Sequence, residues 1–351
     1  MDMSVPLKLH EPLTVPQTVR DRLQRPLREL RVSVIDRCNF RCTYCMPADS
    51  LQGRGVFLPL QKLLTDHELV TLVRAFAELG VQKLRLTGGE PLVRPGLPAL
   101  VQQLADIPGL QDIALTTNGV LLPRLAEDLA TAGLRRLTVS LDTLDREVLF
   151  RMSGGKAKLD DILEGIAAAE AAGFSPLKIN TVVQRGVNDH TIMDLLAHFR
   201  GTPHRVRLIE YMDVGNTNHW SLDEVVPNAE WVRRIGERWP LRPLRPRSAA
   251  ETAKRYEYVD GQGEIGFISS ITEPFCGGCT RARITADGLL YTCLFSNHGT
   301  HLLPLLRHCE DPQALARRIT EVWERRGDRY SEQRGTPEGQ HEKVEMYRLG
   351  G

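Results

Sequence analysis

Short β-rich runs alternate with helical patterns between residues 31 and 212, and this alternation restricts the possible fold more than any other feature. Six strands separated by five amphipathic helices predict a parallel sheet, because parallel strands need a crossover between them. Eight such units would complete a barrel, so six fit either an incomplete (β/α)6 TIM-like barrel or an open doubly wound sheet. The predicted strands are 31–36, 83–87, 112–116, 136–141, 177–183 and 205–212, and the predicted helices are 66–79, 96–105, 123–132, 160–172 and 191–199.

A different pattern begins near residue 215. A helix is predicted at 228–238, and a connector rich in Pro and Arg follows at 240–248. Two antiparallel hairpins are then expected, with Asp287 and Gly288 as a turn signal, and a last helix is expected at 312–325. The hairpin strands are 256–260, 264–269, 282–286 and 289–294. The expected organisation is an N-terminal extension (1–30), a barrel (31–215), a C-terminal α+β extension (216–326) and a flexible polar tail (327–351).

The composition is that of an ordinary globular protein, with 42% hydrophobic and 25% charged residues. A net charge of +1 gives no overall electrostatic reason to expect nucleic acid or an anionic membrane as a partner. No apolar stretch reaches the ~18 residues of a membrane span, and the N-terminus lacks a signal-like apolar segment, so we expect a cytoplasmic protein. In a reducing compartment, the clustering of its seven cysteines favours metal binding or catalysis over disulfides.

Three cysteines, Cys38, Cys42 and Cys45, lie within eight residues directly after the first strand. In a βα barrel this is the rim that holds the active site. Soft thiolates suit iron–sulfur chemistry, and a four-iron cluster held by three thiolates keeps one iron open for a small molecule. A structural zinc site is the alternative, but no fourth ligand lies nearby in the sequence.

A second group, Cys276, Cys279 and Cys293, lies in the C-terminal extension. Taken alone, this segment fits equally well a zinc ribbon completed by one further side chain. The candidates for that fourth zinc ligand are His298, His301 and Cys309, and outside such a site Cys309 fits no motif.

Basic residues occupy strands that a parallel sheet normally fills with apolar side chains. Each one, taken singly, is explained equally well by a side chain that reaches solvent at a strand end. Together they would suit a triphosphate, and no P-loop is present to suggest ordinary nucleotide hydrolysis. These residues are Arg31, Lys83, Arg85, Lys178, Arg207, Arg281 and Arg283.

The chain resembles the radical S-adenosylmethionine (SAM) superfamily in two successive motifs. These are CxxxCxxC after the first strand and Thr87-Gly88-Gly89-Glu90-Pro91 after the second. The segment DRCNFRCTYCMP and the second cysteine group resemble the GTP 3′,8-cyclase family in particular. The resemblance implies two 4Fe–4S clusters, the first held by Cys38, Cys42 and Cys45 and the second by Cys276, Cys279 and Cys293. It also implies that a radical formed from SAM removes hydrogen from C3′ of GTP, that the C3′ radical then attacks guanine C8, and that reduction gives the cyclised dihydroguanosine triphosphate.

The same resemblance implies roles for single residues. The SAM contacts would be Tyr44, Gly89, Ser140 and Met212. The GTP contacts would be Arg31, Arg85, Thr116, Lys178, Arg281 and Arg283, with Lys83 and Arg207 as additions of our own. The second cluster would hold the guanine base. Implied partners are GTP, an unidentified electron donor and a downstream pterin-forming enzyme, with a homodimer as the assembly to test.

Two other functions are kept open. A radical SAM peptide maturase would usually have more cysteines after the barrel than the four seen here. A non-catalytic iron–sulfur or zinc scaffold would explain the second cysteine group but not the first group together with the basic strands.

The chain ends in Gly350 and Gly351. A frayed terminus is the simplest interpretation, and an activated carrier tail does not fit a protein of this size. In the resembled family a terminal Gly-Gly reaches into the active site, and a terminal carboxylate would be drawn to a basic cavity. We therefore predict that this tail takes part in catalysis.

Overall fold

A computed structural model describes residues 18–47, 57–309, 311, 313–335 and 343–350. Its strands form a twelve-stranded sheet in the order β12-β11-β10-β1-β2-β3-β4-β5-β6-β9-β8-β7. The strands are β1 (Glu29–Ser33), β2 (Lys83–Thr87), β3 (Asp112–Thr117), β4 (Arg136–Ser140), β5 (Lys178–Val183), β6 (Arg205–Glu210), β7 (Leu241–Pro243), β8 (Lys254–Tyr258), β9 (Glu264–Ile268), β10 (Arg281–Ile284), β11 (Leu289–Tyr291) and β12 (Thr300–His301).

The six N-terminal strands are parallel and stand in sequence order, β1 to β6. A doubly wound sheet reverses its strand order at a switch point, and this order has no reversal. The crossover helices lie side by side, α1 against α2, α2 against α3 and α3 against α5. The sheet is therefore the incomplete barrel, and the doubly wound alternative is excluded.

The helices agree with the predicted ones to within two residues wherever one was predicted, because their apolar spacing is regular. The helices are α1 (Asp66–Glu78), α2 (Leu97–Ala105), α3 (Leu122–Thr131), α4 (Arg146–Met152), α5 (Leu159–Ala171), α6 (Ile192–Phe199), α7 (Asn228–Arg238), α8 (Leu303–His308), α9 (Ala314–Glu324), α10 (Tyr330–Gln333) and α11 (Met346–Leu349). The short helices α4, α8, α10 and α11 were not predicted. None of the described residues forms a helix long and apolar enough to span a membrane.

The C-terminal strands extend the barrel at both of its edges. The predicted hairpins are confirmed, because β8 pairs antiparallel with β9 and β10 with β11. What the sequence did not predict is that β10 joins β1 and β9 joins β6, both in parallel. The strand β10 thereby brings the second cysteine group beside the strand that leads to the first.

The two faces of the sheet differ in chemistry. Side chains two apart on a strand share a face, and one face packs its apolar residues under the helices. Leu30, Leu86, Leu115 and Val139 are at most 1% exposed and belong to this core. The opposite face carries the polar and basic residues of the strands, so the barrel interior is polar.

Candidate active site

The loop after β1 brings the first three cysteines close together. Their thiols are free and partly buried. Burial raises the pKa of Cys42 well above its ordinary value, and the negative charges of Cys45, Asp142 and Cys38 raise it further. The three thiolates would repel one another, and a cluster with a cationic iron core would offset this repulsion.

The backbone of this loop is held by the turn that follows α4. Arg41 N donates to the Ser153 carbonyl at 3.0 Å, and Thr43 N donates to the Met152 carbonyl at 2.9 Å. Gly154 has φ +66°, and a Cβ at that position would overlap the Arg41 carbonyl oxygen. The unpredicted helix α4 is thus the support for the loop of Cys42.

The two glycines after β2 pack against the same loop from the other side. Gly89 N donates to the Ile35 carbonyl at 2.9 Å, and a Cβ on Gly89 would overlap the Arg37 carbonyl. Glycine is needed here because two backbones are in contact.

Glu90 links this loop to the end of β3. Its buried carboxylate accepts hydrogen bonds from Thr117 Oγ1 at 2.8 Å and from Asn118 N at 2.7 Å. Burial raises the pKa of Glu90 to about 7. Asn118 in turn donates from Nδ2 to Asn39 Oδ1 at 2.7 Å, which ties the third strand end to the cysteine loop.

Asp142, a residue that the sequence analysis did not single out, orients Tyr44. The Tyr44 hydroxyl donates to Asp142 Oδ2 at 2.8 Å, and the other carboxylate oxygen accepts from Val182 N at 2.9 Å. Ser140 lies two residues earlier, half-buried at the end of β4. The sequence shows only an aspartate just after a predicted strand, which does not reveal that this carboxylate is buried.

Met212 lies in a small apolar cluster formed by residues from distant parts of the chain. It packs with Phe295, Tyr330 and Met346, and Cys293 contacts the same cluster. The rim of the barrel, the second cysteine group and the C-terminal tail therefore meet at this point.

Positively charged side chains lie beside the second cysteine group. Burial raises the pKa of the Cys279 thiol, but Arg281 and Arg326 lower it more, to about 6. Arg281 donates to Cys279 Sγ at 3.4 Å. Burial and the charge of Asp328 raise the pKa of Cys293 to about 12. A thiolate at Cys279 stabilised by guanidinium groups fits a metal ligand.

The thiols fit clusters better than single ions. Within the described ranges, no three His, Cys, Asp or Glu side chains are arranged to hold one metal ion. The candidate fourth ligands of a zinc ribbon, His298, His301 and Cys309, are all exposed. Two sets of three soft thiolates are the donors that iron–sulfur clusters use.

The basic residues of the strands converge on the polar face of the sheet. Arg31 stands opposite Arg85 of β2 and Arg283 of β10 in the pairing register.

The other candidate residues lie on the neighbouring strands. Lys178 stands opposite Thr138, and Arg207 donates to Asn180 Oδ1 at 2.6 Å. Thr116 accepts a hydrogen bond from Arg85 at 3.1 Å. In contrast, Lys83 is exposed at the start of its strand.

This group has more positive charge than its surroundings neutralise. Burial, Arg207, Arg136 and Arg85 together lower the pKa of Lys178 to about 7. Burial, Arg85 and Arg31 lower the pKa of Arg207 to about 9. Such depressed pKa values mean that the folded protein disfavours the charged forms of these side chains, a cost that a bound anion would offset.

Glu29, which the sequence analysis missed, neutralises part of the positive charge of this basic group. It accepts from Arg31 Nε at 3.1 Å and lies 4.0 Å from Arg85 Nε. Burial raises its pKa, but Arg31, Arg85 and Arg281 outweigh burial and hold the pKa at about 2. Among the described side chains, Arg207 Nε is buried without a hydrogen-bond partner. Unsatisfied donors of this kind point to a missing anion.

The end of the tail reaches this basic group. Arg283 donates to the Gly350 carbonyl at 2.5 Å and to the Leu349 carbonyl at 3.3 Å. Gly350 has φ +74°, and a Cβ there would overlap the Thr87 side chain. Gly351 lies outside the described residues.

Comparisons with known proteins agree with this geometry. The model of the Radical SAM superfamily matches residues 32–199, and the model Molybdenum Cofactor Synthesis C matches residues 204–332. A GTP 3′,8-cyclase of Xanthomonas campestris pv. campestris (strain B100) is 53% identical over 333 residues, covering 95% of this chain and 97% of that protein. A GTP 3′,8-cyclase of Acidothermus cellulolyticus is 52% identical over 322 residues, covering 91% and 89% respectively.

Among solved structures, the fold is similar to that of Streptococcus suis SuiB bound to S-adenosylmethionine. The TM-score is 0.58, and the match covers 84% of this chain and 68% of that one. At 16% identity this likeness concerns the fold alone. It supports the incomplete barrel with a C-terminal extension.

Proposed function

Because this chain belongs to the GTP 3′,8-cyclase family of radical SAM enzymes, we propose that it converts GTP to 3′,8-cyclo-7,8-dihydroguanosine 5′-triphosphate. This product is the first intermediate of molybdenum-cofactor synthesis. The observation that carries the substrate assignment is a buried basic group whose positive charge is only partly neutralised, and which lies beside the second cysteine group. A triphosphate supplies the anion that this group lacks.

The two 4Fe–4S clusters and SAM supply the one-electron chemistry when they are bound. The chain's own residues hold and separate the reactants. We propose that Cys38, Cys42 and Cys45 bind the first cluster, and that Tyr44, fixed by Asp142, lines the SAM site. The remaining SAM contacts would be Gly89, Ser140 and Met212, which the structure places at strand ends or in loops of the same rim.

The triphosphate would lie on the polar face of the sheet. Arg31, Arg85 and Arg283 share one level of that face, where their guanidinium groups could bind phosphate oxygens together. Lys178, Arg207 and Thr116 approach from the neighbouring strands, and Arg281 from β10. Lys83 is exposed and is the weakest candidate of the set.

The second cluster would hold the guanine base at the end of the triphosphate site. Cys279 precedes Arg281 and Arg283 by two and four residues, so its cluster and the phosphate-binding strand share one segment. This places the two ends of the nucleotide on one rigid element. No side chain is then required as a nucleophile or as a general base.

The test is anaerobic incubation of the reconstituted protein with GTP, SAM and a strong reductant. We expect 5′-deoxyadenosine and a cyclised nucleotide that separates from GTP on chromatography but has the same mass, because the hydrogen lost from C3′ is balanced by the electron and proton gained on reduction. Cys42→Ser should abolish both products, because the first cluster loses one of three ligands. Consumption of SAM without any change in GTP would contradict the substrate and would favour the peptide maturase instead.

We propose further that the protein acts in the cytoplasm with an electron donor yet to be identified. Six grouped free thiols that hold oxygen-sensitive clusters fit a reducing compartment. The product would pass to a downstream pterin-forming enzyme. A homodimer is the assembly we propose to test, by light scattering of the anaerobic protein.

A further inference from the structure

A group of buried charges lies behind the second cysteine group, outside the proposed GTP site. It consists of Asp21, Arg25 and Arg326, which are 2%, 3% and 4% exposed, and we call it the Asp21 network. Arg25 Nε donates to Asp21 Oδ2 at 2.6 Å, and Arg326 donates to the same oxygen at 3.0 Å. The N-terminal extension and the segment after α9 are thus joined by one carboxylate.

The two arginines turn their remaining donors toward the second cysteine group. Arg25 donates to the Cys276 carbonyl at 2.8 Å, and Arg326 donates to the Cys279 carbonyl at 2.9 Å. Arg326 Nε donates to the carbonyl of Thr292, the residue before Cys293, at 3.1 Å. The network therefore donates one hydrogen bond to the backbone at each cysteine: to the carbonyls of Cys276 and Cys279 themselves, and to the carbonyl of the residue before Cys293.

The network is also fixed from behind. Trp323 donates from Nε1 to the Arg25 carbonyl at 3.1 Å, and the Arg326 guanidinium stacks on the Trp323 ring at 4.5 Å. Arg25 also donates to the Asp328 carbonyl at 2.9 Å, and Arg326 Nε lies 3.4 Å from Asp328 Oδ2. The two guanidinium groups are held in position before any cluster is bound.

A buried ion pair is poor evidence for stability, because desolvation offsets much of its attraction. Three buried charges whose two arginines both donate to the backbone of one ligand set need another explanation. Hydrogen bonds and nearby positive charge are the means by which a protein orients cluster ligands and tunes a cluster.

We propose that Asp21, Arg25 and Arg326 are positioning residues for the second cluster, which set the geometry of its three cysteines and raise its reduction potential. The proposal rests on the proposed function only in taking Cys276, Cys279 and Cys293 as cluster ligands. Guanidinium charge near the cluster favours its more negative, reduced state. Loss of that charge shifts the potential in the negative direction.

The test compares Arg326→Met with the neighbouring control Arg325→Met in the full-length protein. Arg325 is exposed and has no side-chain contact to the cysteine group, so it matches Arg326 in charge and sequence position. Iron content and the reduction potentials of both clusters are measured under anaerobic conditions. The first cluster, in the same chain, reports whether the variant is folded.

We expect Arg326→Met to lose the second cluster, about half of the ~8 irons of two cubanes, or to keep it at a more negative potential. The first cluster and the Arg325→Met protein should be unchanged. Arg326→Lys keeps the charge but cannot span two carbonyls and a carboxylate. The Arg326→Lys protein should therefore contain less iron than the unaltered protein. Any second cluster that it retains should have the reduction potential of the unaltered protein.

A second readout needs no cluster. In the protein stripped of iron, the backbone amides of residues 276–279 should exchange with deuterium several-fold faster in Arg326→Met than in Arg325→Met, with those of residues 38–45 unaffected. Equal exchange together with unchanged iron and potentials would overturn the proposal. Loss of both clusters to the same extent would also overturn it, because it would show that the Asp21 network only stabilises the fold. If the unaltered protein itself binds a single cluster, the proposed function fails instead.

Discussion

Burial changes the chemistry of single side chains inside this barrel. Lys178, with a pKa of about 7, is only partly charged at neutral pH, whereas an exposed lysine would be fully charged. A triphosphate beside it would favour the charged form. Binding of GTP near neutral pH should therefore take up a proton at Lys178.

This gives a pH-dependent prediction for Lys178. The affinity for GTP should fall as pH rises from 7 to 9, by up to ~10-fold per pH unit if one proton is taken up. Lys178→Arg should be less sensitive, because the ordinary pKa of arginine lies ~2–3 units above that of lysine. Calorimetric titrations of both proteins at several pH values measure the slopes. Identical slopes would remove Lys178 from the site.

Arg281 and Arg283 should matter for GTP far more than for SAM. Each lost charge-assisted hydrogen bond costs about 1.5–3 kcal/mol, so Arg281→Ala with Arg283→Ala should weaken GTP binding by ~100-fold or more. SAM binding should change little, because its proposed contacts lie on other strands. Equilibrium binding of each ligand measures both effects. Comparable losses for the two ligands would argue against this division.

At the scale of elements, the first cysteine loop depends on a helix that the sequence did not predict. α4 and the turn after it hold the loop through backbone hydrogen bonds at Arg41 and Thr43. The glycines of that turn have different surroundings. Gly154 abuts the Arg41 backbone, whereas Gly155, with φ +76°, faces only the Phe150 ring at 3.4 Å.

Gly154→Ala should therefore displace the loop and lose the first cluster, while Gly155→Ala should keep it. Both variants carry the same left-handed backbone penalty of about 1 kcal/mol, so the comparison isolates the overlap with Arg41. Iron content and 5′-deoxyadenosine formation are the measurements. A first cluster retained by Gly154→Ala would show that the loop can move without losing its ligands.

At the scale of the whole molecule, the C-terminal tail is tied to the barrel rim. Asp213, directly after Met212, accepts hydrogen bonds from Tyr330, Arg334 and Lys343. Glu345 accepts from Thr217 at 3.0 Å. The predicted flexibility of the tail stays a prediction, and within its described residues the tail has two short helices and this set of anchors.

Deleting Gly350 and Gly351 should leave folding and both clusters intact but strongly reduce GTP cyclisation, because Arg283 loses the shorter of its two contacts to tail carbonyls. A synthetic peptide ending MYRLGG should restore part of the activity. Gly350→Ala should also be impaired, since its Cβ would overlap Thr87, whereas Gly335→Ala, at φ +87° with no neighbour within 4 Å, should not. Product formation and iron content are measured for all three. Full activity after the deletion would make the tail a plain terminus.

Local patterns were sufficient to predict the six parallel strands, most helices, both cysteine groups and the basic residues on the strands. Such features depend on periodicity and spacing over a few residues, which a single sequence displays directly. The helix 228–238 was predicted with its observed limits because its apolar spacing is regular. The roles assigned to single residues at SAM and GTP remain predictions.

Only the tertiary structure decided how distant segments combine. The sheet order excluded a doubly wound fold, and parallel pairing of β10 with β1 brought Arg283 beside Arg31. Glu29, Asp142 and the Asp21 network could not be recognised in advance, because a buried carboxylate is defined by partners up to 305 residues away in the chain. Burial and charge compensation arise from the packed fold, and local sequence contains no direct measure of either.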